Sequence, residues 1–218
     1  MTLIIIYWPF ASETRVRTFS EAWLTISVFT LAIVYGILYE GHWPVVRDYV
    51  NILDKKNWDL FGIYALIDWT LSLVMVPALI WLISYAGAWL SGIVKSTSDL
   101  FLAFSGSLLP LGLMLWVAFV IPMLFANITF ILQSVSDPFG WGWDFLGTAN
   151  IPWHQFAPRL APWIQSGTIL TGVWFSLRNL RKSQINGNSD SERVLFLITP
   201  MGLFLSAVGV AMIFFYTN

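Results

Sequence analysis

A chain of 218 residues that is 57% hydrophobic, 17% aromatic and only 11% charged, with a mean hydropathy of +0.72, cannot cover its own surface with polar groups as a soluble domain must. Its formal net charge of -1 offers nothing to a nucleic acid or an acidic substrate. The absence of cysteine excludes disulfides, thiolate zinc, cysteine-held iron–sulfur clusters and covalently attached c-type haem in this chain.

The expected class is an all-α integral membrane protein of about five transmembrane helices with two ordered Trp/Pro/Gly-rich outer loops. A bilayer core of about 30 Å needs roughly 20 apolar residues of helix, and charge-free stretches of that order recur along the chain. Residues 1–18 form an N-terminal segment whose apolar run, Leu3 to Phe10, is too short to span and is stopped by Pro9. Such a segment is expected along the interface or packed on a partner. A single transmembrane domain over 19–218 follows, with spans near 20–39, 66–92, 107–134, 160–178 and 194–216.

Between the first two spans lies "EGHWPVVRDYVNILDKKNWDLFG", a loop of the composition that hugs an interface. Asp68 then opens the second span and reads as a helix-start acid near the positive end of the dipole. Small residues at four-residue spacing, Gly87 with Ser91, suit close helix packing, as do Gly202 with Ser206 and Ala207 with Ala211. The charge-free run from Leu100 to Ser136 is too long for one untilted helix. Gly106, Pro110 and Pro122 predict an interfacial lead-in, a start near Ser107 and a kink. Within this span Asn127 and Gln133 are expected to bond to neighbouring helices, and the sequon at Asn127 is out of reach of any glycan. "SDPFGWGWDFLGTANIPWHQFAPR" forms the second outer loop, and Pro162 suits the first turn of the helix that follows. A polar turn, "RNLRKSQINGNSDSER", separates the last two spans.

Basic residues set the orientation. With the amino terminus cytoplasmic, Arg15, Arg17, Lys95, Arg178, Arg181, Lys182 and Arg193 lie inside, and Arg47, Lys55, Lys56 and Arg159 outside. This bias predicts N-in and C-out.

The only two histidines, His42 and His154, then both fall on the outer side, one just after the first span and one just before the fourth. Two neutral imidazoles at facing helix ends are the minimum for a bis-histidine haem. With Glu40, Asp48 or Asp144 they could instead hold copper or zinc. No pair of ligands shares one helical face, so such a site needs tertiary structure to assemble it. The alternative makes His154 a polar anchor, hydrogen-bonded where a helix meets the headgroups. No nucleotide motif, nucleophile with its base or pore-lining polar stripe is present.

Within Leu108 to Lys182, the residues Trp163, Ile164, Gln165, Ser176, Leu177 and Arg178 give a "W-I-Q" helix ending in "S-L" and basic residues. In this the chain resembles the membrane portion of bacterial membrane-bound polyferredoxins, the class that includes regulators of nitrous oxide respiration. Where that class carries a His-Asn-x-x-His type pattern, this chain reads Ala126, Asn127, Ile128, Thr129 and Phe130, and it lacks the cysteine-rich ferredoxin region. The resemblance implies a membrane relic of an electron-transfer protein that works inside a complex. The expected function is thus an integral subunit of a prokaryotic respiratory or redox complex, with a structural, anchoring or quinone-adjacent role and no catalysis of its own. Its expected partners are other membrane subunits and lipids. Haem b, quinone or lipid are the cofactors to consider. A haem- or metal-bearing oxidoreductase subunit using His42 and His154 is the second reading, and a small transporter or channel component the third.

Overall fold

The computed structural model describes residues 16–40, 48, 58–93, 96–185 and 191–217. The apolar N-terminal run and most of the first outer loop, His42 included, lie outside the described residues, as does the side chain of Glu40.

Five long helices carry the fold, and no strand occurs among the described residues. They are α1 (Phe19–Glu40), α2 (Trp58–Ser91), α3 (Thr97–Ser136), α4 (Ala161–Ile185) and α5 (Ser191–Thr217). α1 begins at a side-chain cap: Thr18 Oγ1 accepts from the Glu21 amide, and Glu21 Oε2 accepts from the Arg17 amide just before the helix. Gly92, in the left-handed region at φ 62°, terminates α2.

α1, α2, α3 and α5 are each long and apolar enough to cross a membrane. The fourth predicted span, 160–178, falls on α4. It is a helix of the required length, but it carries Gln165, Ser166, Thr168, Thr171, Ser176 and Asn179 along it.

Three of them, Gln165, Ser176 and Asn179, answer the prolines of the neighbouring helix, while Ser166, Thr168 and Thr171 bond back to carbonyls of their own helix. An intrahelical proline has no N–H for the carbonyl four residues before it, and in hydrocarbon no water replaces that donor. Pro110 strands Gly106 C=O, which accepts from Asn179 Nδ2 at 3.3 Å; the adjacent Leu111 amide donates to Ser176 Oγ at 3.0 Å. Pro122 strands Ala118 C=O, which accepts from Gln165 Nε2 at 3.1 Å. Pro77 strands Leu73 C=O in α2, and the Trp23 indole of α1 donates to it at 2.9 Å. Because the freed carbonyls are met from outside, α3 runs unbroken from Thr97 through Gly106 and both prolines. The predicted start near Ser107 is corrected accordingly.

α1, α3 and α5 run in one direction, with α2 and α4 antiparallel to them. Phe19 stacks on Phe101 at 5.9 Å, the Trp116 indole donates to Val28 C=O, and Tyr39 meets Phe119 at 6.1 Å, so α1 and α3 are parallel and in step. Phe101, Phe104, Leu108, Leu111 and Leu115 of α3 fill the centre with Ile26 and Phe29 of α1, Ile80 of α2, Ile169 of α4, and Met201 and Leu205 of α5. In a bilayer, whose lipid tails are as apolar as these side chains, close packing rather than exclusion of water would hold the helices together. Two glycines permit it. A Cβ at Gly87 would lie 2.5 Å from the Leu197 carbonyl oxygen, and one at Gly172 would lie 3.2 Å from Leu111 Cα. Gly87 and Ser91 thus pack as their spacing predicts, whereas Ala207 and Ala211 of α5 face outward.

Candidate functional site

Among the described helices, α3 alone continues past the end of α1. Phe119 lies beside Tyr39 at the end of α1, and residues 120–136 extend past that level by about 25 Å at 1.5 Å per residue. Thr129, Gln133 and Ser136, at i, i+4 and i+7, form one polar stripe on this extension. The second loop descends along that stripe. Ser136 Oγ donates to Asp144 Oδ1 at 2.6 Å, the Gln133 amide donates to Ile151 C=O, and Thr129 Oγ1 donates to His154 C=O at 3.1 Å. Thr148 Oγ1 adds a bond to Leu132 C=O and the Trp153 indole one to Ala126 C=O. The expectation that Gln133 and Asn127 bond to neighbouring helices is corrected. Gln133 serves the loop, and Asn127 Nδ2 donates to Met123 C=O of its own helix.

At the far end Asp137 accepts from the amides of Trp141 and Gly142, turning the chain into a knob of four rings. Phe139 stacks on Trp141 at 4.9 Å, Trp141 meets Trp143 edge-on at 4.9 Å, and Trp143 meets Phe145 at 5.0 Å. Trp141 nevertheless remains 67% exposed.

His154 is exposed, and its Nδ1 lies 3.1 Å from Pro152 C=O. What the fold uses at this position is the backbone, paired with Thr129. Asp144 is equally occupied, since it accepts from Ser136 Oγ and the Ala149 amide; those hydrogen bonds, Ser136 foremost, hold its carboxyl below the usual carboxylate range. Among the described residues no three His, Asp or Glu side chains gather as metal ligands. The structure therefore gives His154 no described co-ligand, while His42 and the Glu40 side chain lie outside the described residues.

A second polar locus was read from sequence as a helix start and is not one. Asp68 sits in the interior of α2, which begins at Trp58, so the dipole account is withdrawn. Its level is fixed by α1: Leu73, one turn onward, is bonded to Trp23, and Tyr64, one turn back, shares the electrostatic field of Asp68, Tyr35 and Tyr39. Asp68 thus lies beside the middle of a helix about 33 Å long, roughly the thickness of a bilayer core. Asp68 Oδ1 is enclosed without a hydrogen-bond donor, and so is the hydroxyl of Ser72, one turn away and 5% exposed. Between them and Pro77 the helix widens into a π turn over Leu71–Met75. A π turn inside an apolar helix is the local signal that sequence reasoning missed.

No family model, characterised protein or solved structure matches this chain.

Proposed function

We propose that the protein is an integral subunit of a larger assembly in a prokaryotic cell membrane, with its amino terminus cytoplasmic and all five helices crossing. One observation carries this reading: residues 120–136 of α3 and the loop strapped to them stand about 25 Å past the end of α1, and their outer face is apolar. Met123, Phe130, Ile131 and Val135 are all at least 40% exposed there, and the ring knob crowns them. A hydrocarbon core of about 30 Å that covers α1 cannot also cover this tower, and neither water nor headgroups suit so continuous an apolar face. A partner protein does. Ala207 and Ala211, open on α5 between the exposed Leu203 and Phe214, offer a further close-packing face within the bilayer. The respiratory or redox setting rests on the resemblance over Trp163 to Arg178, and the N-in orientation on the distribution of basic residues.

Gentle extraction of native membranes followed by native electrophoresis tests the proposal. The chain is expected in an assembly well above its own 24.7 kDa plus detergent. Ile131→Lys with Val135→Lys should release it as a folded monomer. A wild-type chain that runs as a stable monomer would overturn the reading.

A further inference from the structure

The Asp68–Ser72 locus is independent of the partner surface, and its chemistry is specific. A carboxylate inside a membrane helix is costly unless it is paired, and Asp68 Oδ1 meets no donor. Ser72 sharpens the point. Other hydroxyls of these helices, at Thr30, Thr70, Ser84, Ser105, Ser166 and Thr199 among others, bond back to the carbonyl four residues earlier. Ser72 forgoes that bond although it is almost fully buried. The backbone ladder beside it is disturbed as well. In the π register the Val76 amide goes to Leu71 C=O, and the next amide position is Pro77, which has no N–H. Trp23 answers Leu73 C=O only. Carboxylate and hydroxyl therefore sit one turn apart on one face of the helix at mid-depth, two enclosed oxygens without a donor beside a widened turn.

We infer that Asp68 and Ser72 form a binding site for a small monovalent cation, sodium or the proton itself. A broken or widened helix turn in a membrane that offers carbonyl oxygens beside one carboxylate is suited to such a cation. The charge count excludes a divalent ion: Asp68 is the one carboxylate at this level among the described residues, and a second positive charge would stay uncompensated in low dielectric. The titratable group coupled to Asp68 among the described residues is Tyr64 on the same helix, which brings no cation of its own.

The full chain in detergent, with choline chloride holding ionic strength constant, allows the test. Sodium chloride should raise the thermal midpoint saturably. Asp68→Asn, which keeps the side chain's shape, should abolish that dependence, and Ser72→Ala should weaken the apparent affinity about tenfold through loss of one oxygen donor to a charge. Asp144→Asn should leave it intact. If the proton is the occupant, sodium will have no effect, and infrared spectra will show a protonated carboxyl stretch that vanishes in Asp68→Asn. A wild-type protein with no sodium dependence and no such stretch overturns the inference. So does Asp68→Leu, if it is as stable as the wild type and retains the sodium response.

Discussion

Asn179 and Gln165 are polar residues whose value depends on a proline one helix away. Asn179 donates to Gly106 C=O, which Pro110 cannot serve. Asn179→Leu is therefore expected to destabilise the folded protein by about 1 kcal/mol, the scale of interhelical hydrogen bonds in bilayers. Pro110→Ala restores the helical N–H, so the same Asn179→Leu change should cost little in that background. A double-mutant cycle followed by thermal unfolding in detergent reads this coupling, and additive effects would refute the pairing. His154 gives the opposite case. Its ring is exposed and only its backbone engages Thr129, so His154→Gln should change stability by no more than about 1 kcal/mol. Stoichiometric haem or metal in the purified protein, lost in both His154→Ala and His42→Ala, would instead establish the ligand reading.

At the scale of elements, the strap along α3 is a polar device. Asp144 holds its upper end through Ser136 and Ala149, and a carboxyl held below its ordinary range adds stability that is present above the unfolded pKa and lost as pH falls through the folded one. Tryptophan emission from the knob should thus stay constant through the usual carboxylate range and shift only at more acidic pH. Asp144→Asn should remove that transition. Ends marked by charges were legible in the sequence: predicted spans 20–39 and 194–216 became Phe19–Glu40 and Ser191–Thr217. Elements whose ends depend on partners were not. Gly106 and Pro110 look like a break until Asn179 and Ser176 arrive from α4, seventy residues on in the chain by order of magnitude. Thr129, Gln133 and Ser136 look like interhelical glue until the loop is seen to lie on them. Asp68 could be read as a helix start because nothing local to it marks Trp58 as the true one.

For the whole molecule, the alternation of helix directions turns the charge bias into a stricter statement. α4 is more polar than the other four helices, yet it runs antiparallel to α3 for most of its length, with Gln165 at Ala118 and Asn179 at Gly106. Its basic end at Arg178, Arg181 and Lys182 thus returns to the end of the bundle where α1 begins and α2 stops. If α3 crosses the membrane, α4 must cross back, because Gln165 near its start and Asn179 near its end both bond to carbonyls of α3. Single cysteines at Ser189 and Asn57 in this cysteine-free chain should therefore label from opposite sides with an impermeant reagent. A third at Phe139, on the knob, should label with Asn57. Labelling of Ser189 and Phe139 from the same side would mean that α4 lies along the surface and that the five-span topology is wrong.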